Sequence, residues 1–281
     1  MSGTLYVVGT PIGNLSDFSP RAVQTLREVD FIAAEDTRVT QKLLSHFQIK
    51  KPMISYYQHN LRERGEEILA RIEAGENCAI ATDAGMPCIS DPGEALVGLC
   101  AARDIPTVVI PGPSAAISAL AVSGLPTSRF CFEGFLSTNR KNRMEHLHQI
   151  SGDQHTLIFY EAPHKLKNTL DDLYRVLGNR QIALCRELTK KHETAFHNTL
   201  QGLLDYYREQ KPLGECVLVI RGKSREELQQ ESQASWEEIS IEEHMAIYEN
   251  QGMPRKEAMK QVAKDRGVTK RDIYQALLDL K

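Results

Sequence analysis

The chain has 281 residues, 41% of them hydrophobic and 25% charged, with a formal net charge of -3. That length suits one large or two ordinary domains, and the composition excludes a disordered or fibrous chain. The charge gives no global attraction to nucleic acid, so any RNA contact has to come from a local basic surface.

The N-terminus has no basic segment leading into a long apolar core, and no run approaches about 18 apolar residues. Neither a signal peptide nor a membrane span is expected, and a cytoplasmic location is. From there, apolar runs at Leu5 to Val8, Phe31 to Ala34, Cys78 to Thr82 and Thr107 to Ile110 read as strands. Helical spacing over Pro20 to Arg27, Val39 to His46, Arg62 to Ala74 and Glu94 to Arg103 alternates with them, which implies a largely parallel sheet. Residues 1–133 therefore form an N-terminal α/β domain, with Arg129 to Phe132 as its last strand.

Residues 134–139 are rich in turn formers and read as a linker. Residues 140–222 form a second α/β domain, with strands at Thr156 to Tyr160, Ile182 to Arg186, Thr194 to His197 and Glu215 to Ile220. Its helix at Lys165 to Leu177 stops at Gly178. Residues 223–235 turn to Glu, Gln and Ser, the composition of a solvated helix or polar linker. Residues 236–281 read as three helices, with Pro254 in a first turn and Thr269 as an N-cap.

The six cysteines, Cys78, Cys88, Cys100, Cys131, Cys185 and Cys216, form no CxxC pair and read as buried free thiols in a reducing compartment. His146 and His148 are two apart with no cysteine partner nearby, so no metal site is expected.

Ligands of open parallel sheets lie at the carboxyl ends of strands. Four loops there are unusual: Gly9 to Asn14, Thr82 to Gly93 and Pro111 to Ala116, which carry Gly and Pro, and Glu35 to Arg38, which is charged. Gly and Pro fix the backbone and let main chain approach a ligand, so a preformed pocket is implied. The first loop is not GxGxxG and no GxxxxGK[ST] occurs, which removes the main support for nicotinamide binding and P-loop hydrolysis.

GTPIGNLSD at 9–17, EDTR at 35–38, TDAGMPCISDPG at 82–93, PGPSA at 111–115, EAPHK at 161–165 and RELTKKHE at 186–193 occur in order. This set resembles the tetrapyrrole methylase fold family, and within it the bacterial enzymes that methylate ribosomal RNA. The resemblance implies two α/β domains with a small helical C-terminal module, S-adenosylmethionine in a cleft, a homodimer, and 2'-O-methylation of a cytidine in the decoding centre of 16S rRNA. The partner would be 16S rRNA or the small ribosomal subunit. Carried over loop by loop, Asp83, Ala84, Gly85 and Ile89 line the cofactor pocket, with Ser114 and Ala115 from the next loop, Pro11 on the floor and Phe132 on one side. Tyr160, Leu188 and Gly214 face it from the second domain. Porphyrin-type members resemble GxGxGD at the first loop, whereas this chain has GTPIGN.

No general base is evident; the candidates are Asp36, Arg38, Glu161, His164 and Lys190. For Asp36 and Arg38 two readings stand, an intra-loop ion pair and a contact of Arg38 with an RNA phosphate. Asp83 suits either the cofactor or a turn cap, and Asp91 suits an N-cap. Between Gly252 and Gln275, seven basic residues face three acidic ones. Arg255, Lys256, Lys260, Lys264, Lys270 and Arg271 there, in a helix-turn-helix-like pair, are the main RNA candidates. Arg140, Lys141 and Arg143 form a second cluster. The alternatives are a methylase of a small molecule such as a tetrapyrrole and a non-catalytic RNA-binding assembly factor.

Overall fold

In the computed structural model, which describes residues 2–279, the N-terminal stretch alternates strand and helix. The order is β1 (Leu5–Val8), α1 (Pro20–Glu28), β2 (Phe31–Ala34), α2 (Thr37–His46), β3 (Met53–Ser55), α3 (Leu61–Glu73), β4 (Cys78–Ala81), α4 (Gly93–Ala102), β5 (Thr107–Ile110) and α5 (Ala115–Val122). The strands form a parallel sheet in the order β3-β2-β4-β1-β5. Every residue of β2 and β4 is buried, as apolar strands covered on both faces should be. Leu5, Phe31, Ile68, Ile72 and Leu96 fill one face, and Val8, Leu26, Ile32 and Leu44 the other. Ser19 and Asp36 start α1 and α2 by accepting from Ala22 N at 3.1 Å and Arg38 N at 2.8 Å.

Next come β6 (Phe130–Phe135), α6 (Arg140–Gln149), β7 (Thr156–Glu161), α7 (Leu166–Leu177), β8 (Gln181–Arg186), β9 (Thr194–Thr199), α8 (Leu200–Glu209) and β10 (Cys216–Ile220). They form a second sheet, β6-β7-β10-β8-β9, in which only β6 and β7 are parallel. β6 runs further than the sequence suggests, because a register shift between Phe132 and Gly134 carries the strand on to Phe135. Gly134 and Phe135, read as linker, are therefore strand. Helix α5 packs through Ala116, Ala119 and Leu120 against Ile158, Ala183 and Val219 of this sheet.

The chain divides into two compact units: residues 1–145 with 156–221, holding both sheets, and residues 146–155 with 222–281. Within the first, Asp172 of α7 is a buried carboxylate. Arg143 grips it with Nε and a terminal nitrogen at 2.9 and 2.7 Å, and Arg140 adds a contact at 3.2 Å.

The second unit contains α9 (Arg225–Glu237), α10 (Ile241–Asn250), α11 (Arg255–Asp265) and α12 (Lys270–Asp279). The stretch read as a solvated helix or linker is α9, opened by a capping box of Ser224 and Glu227 and with no buried residue. Met245, Ala258, Val262 and Ile273 form a small core among α10, α11 and α12. Thr269 caps α12, accepting from Asp272 N at 3.3 Å.

His244 is fully buried and stacks on Trp236, ring centroids 3.8 Å apart. Its Nδ1 accepts from Arg266 Nε at 3.2 Å. Burial and the adjacent Arg266 charge lower its pKa. The unfolded chain then binds a proton more readily than the folded unit, so stability falls as pH drops through the ordinary histidine value of about 6.5. Trp236 is the only tryptophan in the chain, so its fluorescence reports this unit alone. Its thermal midpoint is expected to drop between about pH 8 and pH 5.5, and a His244→Gln variant to lose most of that slope. A pH-independent midpoint in the native protein would contradict this. No helix among the described residues is long and apolar enough to cross a membrane.

Candidate active site

Loops at the carboxyl ends of the first sheet meet strand ends of the second around a cavity of about 440 Å³. Of the residues expected at a cofactor pocket, Asp83, Ala84, Gly85, Ile89, Ser114, Ala115, Tyr160 and Leu188 line it. Pro11, Phe132 and Gly214 are not among the lining residues. Phe132 stands behind Tyr160, ring centroids 4.9 Å apart, and Gly214 lies against Glu187. Ile12, Glu35, Thr82, Met86, Ser90, Asp91, Phe135 and Val217 line the cavity without having been singled out as cofactor residues in the sequence.

The loops interlock through main chain. Thr10 N donates to Gly85 O at 2.8 Å, and Gly112 N to Met86 Sδ at 3.2 Å. Gly9 and Gly112 touch back to back: a Cβ on Gly112 would fall 2.8 Å from Gly9 Cα, and one on Gly9 would fall 2.7 Å from Gly112 Cα. This contact brings the loops after β1 and β5 together. Tyr160 Oη accepts from Ala116 N at 3.2 Å and ties α5 to the second sheet. Around the cleft, Cys88, Ser90, Glu187 and Thr189 have positive φ of 70°, 61°, 51° and 66°. Such strain in non-glycine residues gathers where the surrounding structure imposes a special geometry.

The rim beside β2 and β4 is acidic. Thr82 Oγ1 donates to Glu35 Oε2 at 2.5 Å, and Asp83 Oδ1 accepts from Asp36 N at 3.2 Å. Burial, and next the neighbouring Glu35 carboxylate, raise the Asp83 pKa. Burial also raises that of Asp91, whose Oδ1 accepts from Cys88 N at 2.9 Å and Gly93 N at 2.7 Å, so it anchors the start of α4.

The candidate bases are engaged or placed elsewhere. Asp36 is held at about 2 by the Arg38 side chain, whose Nε and terminal nitrogen lie 3.0 and 2.6 Å from its two oxygens. Arg38 itself is 87% exposed and lies off the cavity lining. Glu161 lines the cavity, but its carboxylate accepts from Thr169 Oγ1 and Ala162 N at 2.5 and 2.7 Å. His164 is exposed and does not line it. Lys190 contacts Glu187 and Glu215 at 3.1 and 2.9 Å, and burial's opposition to its charge is outweighed by those two hydrogen bonds, so it stays an ammonium.

Among the expected RNA residues, Arg143 is committed to Asp172, while Lys141 is exposed and 3.9 Å from Glu145. In the second unit Lys260 and Lys264 are exposed, whereas Arg255, Lys256, Lys270 and Arg271 line one surface notch.

Residues 4–204 match the family model Tetrapyrrole (Corrin/Porphyrin) Methylases. The chain is 46% identical to ribosomal RNA small subunit methyltransferase I of Synechocystis sp., covering 99% of each chain. It is 47% identical to the enzyme of that name from Halalkalibacterium halodurans, over 97% of this chain and 93% of the relative. Among solved structures, uroporphyrin-III-C-methyltransferase from Thermus thermophilus aligns at 19% identity with a TM-score of 0.54, covering 77% of this chain and 94% of that one, which establishes a shared fold. With sequence, sheet order and interlocked loops in agreement, the chain belongs to the tetrapyrrole (corrin/porphyrin) methylase family, among the relatives named ribosomal RNA small subunit methyltransferase I.

Proposed function

We propose that the cleft binds S-adenosylmethionine and that the protein methylates a ribose 2'-hydroxyl of 16S rRNA, on a cytidine of the decoding centre. Near end-to-end likeness to relatives named for small-subunit rRNA methylation carries this reading. The cofactor and the nucleotide come from the motif resemblance.

The residues present fit such a cofactor. Phe135 and Ile89 line the cavity while 62% and 55% exposed, an apolar surface suited to an adenine or an alkyl chain. Glu35 and Asp83 give the rim negative charge, and the nearby Arg38 is turned to Asp36, so a cationic sulfonium meets a favourable field. Asp83 to Met86, with Ser114 and Ala115, would hold the ligand. When bound, it supplies an electron-poor methyl group.

With Asp36 and Lys190 both fixed in their charged states by partners, we assign the chain's contribution mainly to alignment and exclusion of water. We place the protein in the cytoplasm, with the small ribosomal subunits it would modify. To test the function, small ribosomal subunits lacking the modification are incubated with methyl-labelled S-adenosylmethionine and the RNA is mapped with nuclease. Label at one nuclease-resistant ribose is expected; label only on a base, or only on a small-molecule acceptor, would defeat the proposal.

We further propose a homodimer. β5 is an edge strand, and with α5 it leaves Val109, Ile117 and Val122 open. A Val109→Asp variant should shift light-scattering mass from twice the chain mass toward one. A native protein that is already monomeric at assay concentrations would exclude the dimer.

A further inference from the structure

The family match ends at residue 204, so the second unit lies largely outside the methylase core. On its surface is a notch of about 650 Å³ lined by Arg255, Lys256, Met259, Lys270, Arg271 and Tyr274. Four cations thus surround an exposed aromatic and a thioether. Arg255 has Glu249 at 3.2 Å, but among the described residues no carboxylate lies within ion-pair distance of Lys256, Lys270 or Arg271. The nearby Asp272 is turned to Thr269, accepting from its N and Oγ1 at 2.9 and 2.6 Å. Four like charges gathered with only one ion pair among them repel one another, and an anion relieves that repulsion.

Tyr274, 54% exposed, offers a flat face among these cations. A polyanion that alternates charge with flat rings uses both features, whereas an acidic peptide uses only the charge. Lys256, Lys260 and Lys264 recur every fourth residue along α11, so positive charge continues from the notch along one helix face. We infer that the notch binds a single-stranded segment of RNA, with its phosphates on Lys256, Lys270 and Arg271 and a base stacked on Tyr274. This rests on reading the protein as an RNA methyltransferase and adds where, outside the cleft, the substrate is gripped.

The test uses the full-length protein and a fluorescein-labelled oligouridine of about 12 nucleotides, followed by anisotropy across a salt series. Replacing Lys256, Lys270 and Arg271 together by alanine should reduce the slope of log affinity against log salt by about two, from about 0.7 per phosphate contact. Tyr274→Ala should weaken binding at least about fivefold, and Tyr274→Phe, which keeps the ring, should not. An unchanged salt slope in the triple variant, wild-type affinity in Tyr274→Ala, or equal competition by polyglutamate or inorganic phosphate would each overturn the inference. Trp236 fluorescence checks that each variant's helical unit is folded, and calorimetry with S-adenosylmethionine should be unchanged in all of them. Oligouridine binding through the notch without methyl transfer to subunits would remove the proposed activity and leave the notch; transfer insensitive to these variants, with oligouridine affinity also unchanged, would do the reverse.

Discussion

Gly112→Ala is expected to lower methyl transfer at least about a hundredfold, because a displacement near 1 Å at an aligned site has that effect. The new Cβ has nowhere to go. It would fall 2.8 Å from Gly9 Cα and 2.9 Å from Gly9 C, so the partner atoms are backbone and cannot rotate aside. Relief requires the loops after β1 and β5 to separate, which also strains the Thr10 to Gly85 and Gly112 to Met86 hydrogen bonds. Overpacking of this kind costs about 1–3 kcal/mol, within what a chain of this size tolerates, so a folded but weakly binding protein is expected. Gly98→Ala is the control: among the described residues nothing lies within 4 Å of its Cβ, and in the exposed face of α4 alanine should stabilise by about 1 kcal/mol. Calorimetric affinity for S-adenosylmethionine and denaturant midpoints check both; normal affinity in Gly112→Ala would contradict this account of the loop contact.

The second large effect is on stability. Asp172→Ala should destabilise the first unit by about 3 kcal/mol, seen as a lower midpoint in guanidinium unfolding. The carboxylate is 3% exposed and Arg143, at 12%, is bonded to it through two nitrogens. Among the described residues, removing the acid leaves Arg143 nearly buried with only the Ser137 and Thr138 carbonyls to receive its protons. Breaking one side of such a pair is costly because the other charge stays out of water, whereas the intact pair adds little net stability. An unchanged midpoint would mean that Arg143 swings into solvent.

Arg143 also shows where sequence reasoning stopped. Arg140, Lys141 and Arg143 look like one basic surface cluster, but the buried carboxylate that claims Arg143 is 29 residues away and leaves no local signal. The first sheet was legible because β2 and β4 are short runs that must be apolar on both faces. By contrast, β3 is only three residues long. Helix α5, AAISALAV, is apolar but for Ser118, so no polar stripe marks its period, and α6, RKNRMEHLHQ, has only Met144 and Leu147 as apolar residues, too few to show one.

The same divide runs through the site. Asp83, Gly85, Ser114 and Ala115 sit in Gly- and Pro-rich loops directly after strands, where local sequence advertises an unusual backbone. Glu35 directly follows β2 but sits in a loop without Gly or Pro and was not singled out, since only its approach to Thr82, 47 residues on, turns it toward the cavity. Phe135 appeared as linker because its place depends on the irregular register between β6 and β7. For Lys190, Gly13 supplied the missing context: a Cβ there would fall 2.6 Å from Lys190 Cγ, so the lysine lies across the first loop.

We propose that the cleft, and no other part of the molecule, holds the methyl donor. A crystal structure of the protein soaked with S-adenosylhomocysteine tests it most directly. Density is expected in the 440 Å³ cavity, against the main chain of Asp83 to Met86 and of Ser114 and Ala115, with Phe135 and Ile89 covered. Density elsewhere, or an empty cavity in a protein that binds the compound in solution, would contradict it.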